Sequence, residues 1–109
     1  MLVETKSPFK DVLFEAVDEG LLTLGESGKE AVYFHLQNLC SLRRVDVSDR
    51  PEIFVEGIRK IFGVGAEVIE RSIVMSLYRK LGLKYKEKEG YGFLAYLNDA
   101  KEMKVRRLK

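Results

Sequence analysis

Residues 66–81, AEVIERSIVMSLYRKL, constrain the fold more than any other stretch of the chain. Val68, Ile69, Ile73, Val74, Met75, Leu77, Tyr78 and Leu81 recur at helical spacing and cover more than half of the helix circumference. A helix apolar on most sides is normally buried. This segment is therefore expected to be a long central helix with the others packed around it. Gly82 follows as the C′ residue, and Arg79 and Lys80 complement the helix dipole.

Helical spacing runs through the rest of the chain. Ser7-Pro8 reads as an N-cap and first helical residue, followed by Phe9, Leu13, Ala16, Val17 and Leu24. Gly20 weakens or bends this helix, and Gly25 closes it. Ser27-Gly28-Lys29-Glu30 fits a capping box that opens a second helix. Ala31, Val32, Phe34, Leu36 and Leu39 give it a wide apolar face, fading near Cys40 or Ser41. Residues 42–50 read as a linker, with Asp49 as the cap of a third helix from Pro51 to Phe62. Gly63 ends that helix, and Val64-Gly65 turns the chain into the central one. Residues 83–91 form a polar loop, and a last helix starts near Gly92 with Phe93, Tyr96, Leu97 and Ala100 on one face. The expectation is a single all-α domain over 1–109, about five helices in an orthogonal or bundle-like array, with a flexible N-terminus at 1–6 and a fraying basic C-terminus at 104–109. There is no repeat and no low-complexity tract.

Bulk properties narrow the function classes. At 109 residues the chain supports one core, without room for a deep cofactor cavity and a lid. No apolar run reaches the roughly 18 residues of a membrane span, and the first residues lack an apolar signal core. One cysteine, Cys40, rules out an intrachain disulfide and favours a cytoplasmic location. Charge dominated by Lys and Glu, with few Asn and Gln, leans towards a thermophilic source. Net charge is +2, unevenly spread. Residues 1–78 hold nine Lys and Arg against thirteen Asp and Glu; residues 79–109 hold ten against four.

No set of residues converges on chemistry. His35 is the only histidine, and Cys40, five residues on, lies on another face of the same helix. Cys40 also sits at a helix C-terminus, where the dipole disfavours a thiolate. Gly63-Val64-Gly65 lacks both the third glycine of a dinucleotide fingerprint and the Gly-Lys-Ser/Thr of a P-loop. Glu67 and Glu70 in the following turn repel an anion and suit neither a phosphate site nor a DNA-reading helix. The sequence thus predicts no catalytic residue, no cofactor and no metal. Arg43, Arg44, Lys101, Lys104, Arg106, Arg107 and Lys109 remain as candidate contacts for an acidic partner or for nucleic acid, with Tyr91, Phe93 and Tyr96 nearby for stacking.

One resemblance adds to this. The segments KEAVYFHLQNLCSL, DRPEIFVEGIRKIFGVGAEVIERSIVMSLYRKLGL and KEKEGYGFLAYLNDAKE, over Lys29 to Glu102, resemble a small archaeal family of helical domains, the Nitrosopumilus-type output domain. The resemblance implies an archaeal source, an α-helical fold and a signalling or interaction role, and it brings no catalytic residues. The resulting expectation is a non-catalytic protein-interaction module, a signalling output or adaptor domain. Its surplus apolar surface favours a homodimer or a partner protein. The alternative is weak nucleic-acid binding by the basic C-terminal third.

Overall fold

A computed structural model describes residues 8–108, with side chains through residue 104. The expected flexible segment at 1–6 lies outside the described residues. The fold is all-helical: α1 (Phe9–Leu21), α2 (Gly25–Cys40), α3 (Pro51–Phe62), α4 (Ala66–Leu81) and α5 (Phe93–Leu108), with 3₁₀ turns at Leu22–Leu24, Arg44–Asp46 and Gly63–Gly65. Among the described residues there is no strand, and no helix is long and apolar enough to cross a membrane. The most extensive packing is α1 along α4; α2 lies on α3, and α5 on α4 and α3.

Pro8 has an extended ψ of 145° and precedes α1, its carbonyl accepting from the Asp11 and Val12 amides. Leu13, Ala16, Val17, Gly20 and Leu21 then form one buried stripe. Gly20 is buried within α1, one residue before its last. A Cβ there would stand 2.5 Å from Ile73 Cγ1 and 3.0 Å from the Ile73 backbone, so its missing side chain lets α1 and α4 approach.

The capping box is not formed. A 3₁₀ turn runs straight on from α1, and Gly25, at φ +84°, already begins α2. Ser27 and Glu30 therefore lie inside the first turns, exposed, and no side chain caps the helix. Asp49 is likewise no cap for α3, since Arg50 takes the cap position before Pro51 and no side chain bonds the helix start. Residues 42–50 are more than a linker. Leu42 and Val47 are buried, and Asp46 accepts from the Arg43 amide and guanidinium. Gly82 ends α4 as expected: φ is +71°, and the Leu83 amide reaches back to the Tyr78 carbonyl.

The expectation that α4 lies submerged on nearly every side is overturned. Ile69, Ile73, Val74, Leu77 and Tyr78 are buried, but Val68 is 64% exposed and Met75 50%. Val64, in the preceding turn, is 99% exposed. The helices α1, α3 and α5 cover only part of the α4 surface. The α2 face divides similarly: Val32 and Leu36 are buried, Phe34 and Leu39 exposed. The backbone of α5 is helical as far as Leu108.

A polar clamp ties α1 to α4. The Ser76 hydroxyl donates to Glu19 at 2.6 Å, with Arg79 at 2.5 Å and Lys80 at 3.1 Å. The Ser76 hydrogen bond first, then Lys80 and Arg79, hold the Glu19 carboxyl down to about 2 from 4.5. A folded-state value below the unfolded one means stability that is present above pH 4.5 and lost as pH falls towards 2. The carboxylate side chain is 44% exposed, so solvent screening keeps the effect below about 1 kcal/mol. Denaturant titrations at pH 7 and pH 3 are expected to show a smaller stability loss in Glu19→Gln than in the parent. An identical loss would show that the clamp contributes nothing.

Candidate functional site

Four of the five tyrosines fall within residues 78–96, and the fold brings them together. Tyr78 comes from α4, Tyr85 and Tyr91 from the loop between α4 and α5, and Tyr96 from α5. Tyr96 lies 5.0 Å from Tyr91, 5.6 Å from Tyr85 and 6.4 Å from Tyr78, ring centre to ring centre. The buried Tyr78 hydroxyl donates to the Tyr96 carbonyl at 2.9 Å, and the Lys88 amide donates to the Tyr96 hydroxyl at 2.8 Å. These bonds pin the loop against the two helices. Burial pushes the Tyr78 phenol up to about 12.

Under this loop lies a pocket of about 170 Å³. Tyr85, Tyr91, Phe93 and Tyr96 form an aromatic wall, and charged residues of α3, α4 and the loop form the rest. Arg71 pairs with Glu87 at 2.9 Å, and Lys88 with Asp99 at 3.2 Å while lying 4.9 Å from the Tyr91 ring. Glu70 is only 6% exposed. Its Oε2 receives no hydrogen bond from the described residues, and Arg59 Nε stands 3.5 Å away. Burial raises the Glu70 carboxyl above the usual range, opposed by Arg59 and reinforced by Glu67.

The pocket holds neither histidine nor cysteine. His35 is exposed on α2, edge-on to Phe34 at 5.8 Å, and Cys40 is half-buried near Gly57. Among the described residues, no group of three His, Cys, Asp or Glu could hold a metal ion.

Among the described residues, the basic side chains of Arg43, Arg44 and Lys101, singled out from sequence, each have their own partners. Arg43 donates to both Asp46 oxygens, at 3.1 and 3.2 Å. Arg44 turns the other way, pairing with Asp18 and lying 5.0 Å from the Phe14 ring and 5.2 Å from Tyr33. Lys101 stands on α5, 6.0 Å from the Phe9 ring, and Lys104 is half-buried one turn on. The side chains of Arg106 and Arg107, and all of Lys109, lie outside the described residues. Of the aromatics considered for stacking, Phe93 and Tyr96 are buried and Tyr91 is 36% exposed.

Sequence reasoning passed over Glu70 and Tyr85. Glu70 read only as a first-turn acid that repels an anion, whereas in the fold it is buried and paired with Arg59 of α3. The density of tyrosine between residues 78 and 96 was the available signal. No family model, curated protein or solved structure matches this chain.

Proposed function

We propose that this chain is a non-catalytic protein-interaction module, a signalling output or adaptor domain that self-associates through the open side of α4. The observation that carries this reading is the stripe of Val64, Val68 and Met75, spaced i, i+4 and i+11 and exposed to water. Glu67, Arg71 and Arg79 flank it. An antiparallel two-fold pairing centred between Arg71 and Ser72 sets Val68 of one copy against Met75 of the other, twice over. It also brings Glu67 within a helical turn of the partner's Arg79. Such a contact is isologous, the commonest symmetry of small oligomers. A stable interface buries roughly 1,000 Å² or more in total. The resemblance to an archaeal output domain points the same way.

Light scattering across a dilution series tests the reading. A dimer mass is expected at about 100 µM, falling towards monomer on dilution. Met75→Glu and Val68→Glu each place a charge at the symmetric centre and are expected to give monomer throughout, with unchanged helix content. A monomer mass for the parent at every concentration sinks the proposal.

A further inference from the structure

Beside the exposed stripe of α4 lies an open groove of about 560 Å³. Ser72, Met75 and Arg79 line it from α4, Gly20 from α1, Thr23 from the turn after α1, and Leu83 from the loop after α4. Most of its hydroxyls are spent inside the fold. Thr23 donates to the Gly20 carbonyl at 2.9 Å, Ser76 to Glu19 at 2.6 Å and Tyr78 to the Tyr96 carbonyl at 2.9 Å. Glu19 holds the Arg79 guanidinium at 2.5 Å, which leaves the aliphatic stem of Arg79 to the groove. Such a groove makes little demand for hydrogen bonds and suits an apolar occupant.

The chain carries one side chain of matching kind without cover. Val64 is 99% exposed, so its own copy shields none of it from water. It sits in the Gly63–Gly65 turn between two glycines, and the branched side chain stands alone at the tip. The register of the two-fold pairing decides where it goes, and this step rests on the self-association proposed above. The turn runs directly into α4. About an axis between Arg71 and Ser72, position 64 of one copy falls level with position 79 of the other, each about 11 Å from the axis at about 1.5 Å of rise per residue. Positions 64, 68, 72, 75 and 79 recur at intervals of four and three, so one side of α4 carries both Val64 and the α4 residues of the groove. Because Arg79 lines the groove, the partner's Val64 arrives at its mouth.

We propose that this groove is the socket for Val64 of a second copy, so that the symmetric dimer seats two valines in two grooves on either side of the Val68–Met75 centre. Association then depends on Gly20, Thr23 and Leu83 as well as on α4, and small side chains at positions 20, 23 and 72 keep the socket open. By symmetry each valine is withdrawn from water twice per dimer, so one substitution removes two contacts.

The test compares variants of the full chain by light scattering across a dilution series. Val64→Ala is expected to raise the dissociation constant at least about tenfold, and Val64→Asp to give monomer at about 100 µM. Both should keep the parent's helix content and urea midpoint, since Val64 is bare in its own copy. Thr23→Arg, at an exposed position, fills the groove from the other side and is expected to weaken association by a similar factor. Isotope-filtered NOEs in a mixture of labelled and unlabelled chains read the position directly. The Val64 methyls are expected to meet the Met75 and Leu83 methyls of the other copy. Undiminished association of Val64→Asp or of folded Thr23→Arg, in a chain that Met75→Glu dissociates, overturns this inference while the α4 pairing stands. A dimer whose Val64 methyls show no contact across the interface does the same. A parent chain that is monomeric at every concentration overturns both.

Discussion

Phe54→Ala is expected to lower the unfolding free energy by about 4 kcal/mol, the largest effect of any single change considered. Phe54 is fully buried on α3, and its ring packs 5.8 Å from that of Phe93 in the first turn of α5. It thereby joins two helices separated by the whole of α4 in sequence. Truncation removes the transfer free energy of the ring and leaves a cavity that packed neighbours close only in part. A domain of this size has about 5–15 kcal/mol in total, so a large fraction is lost. Urea titration is the measurement, with the midpoint shifting and the slope unchanged. Phe34→Ala is the control: that ring is 64% exposed, and the change should stay within about 0.5 kcal/mol. A Phe54 variant losing less than about 1.5 kcal/mol would show that this part of the core is looser than described.

Gly20→Ala is expected to cost about 2 kcal/mol, against the direction set by helix propensity. In an exposed helix interior the same change gains about 1 kcal/mol. Here the new Cβ would lie 2.5 Å from Ile73 Cγ1 and 3.0 Å from the Ile73 Cα and N. Cγ1 belongs to a β-branched, fully buried side chain, and Cα and N belong to α4 itself. Relief therefore requires α1 and α4 to separate, loosening the most extensive contact in the fold. Overpacking of this kind costs about 1–3 kcal/mol or more, enough to reverse the propensity gain. Gly92→Ala is the comparison: a Cβ there meets nothing within 4 Å, and stability should hardly change. If Gly20→Ala stabilised the protein, the two helices would be shown not to touch at this point.

The same close approach occurs where α2 meets α3. A Cβ on Gly57 would stand 2.4 Å from Leu36 Cδ2 and 3.1 Å from Cys40 Sγ. Neither glycine could be understood from its neighbours in the chain. By local reasoning Gly20 weakens a helix, whereas its use is to admit Ile73, more than fifty residues away.

The candidate site was legible only in fragments. Tyr85, Tyr91 and Tyr96 are visible as a cluster in sequence, but the side chain that gives the pocket its chemistry, Glu70, looks like any acid near a helix start. Its burial depends on Arg59, which α3 carries to it, and on the loop after α4 folding back. Arg43 and Arg44 show the converse. Adjacent in sequence, they read as one cationic patch, yet they divide between Asp46 in their own turn and Asp18 on α1.

Helical class, the span of α3 from Pro51 to Phe62, the start of α4 after Gly65 and its end at Gly82 all followed from the order of residues. Each depends on groups within a turn or two: an apolar repeat, a proline that fits only a first turn, a glycine that accepts positive φ. Which side of α4 meets water, why Ser27 caps nothing and which carboxylate lacks a donor were settled by packing. Those outcomes depend on atoms brought close from distant parts of the chain, and periodicity along one helix carries no record of how many neighbours will cover it.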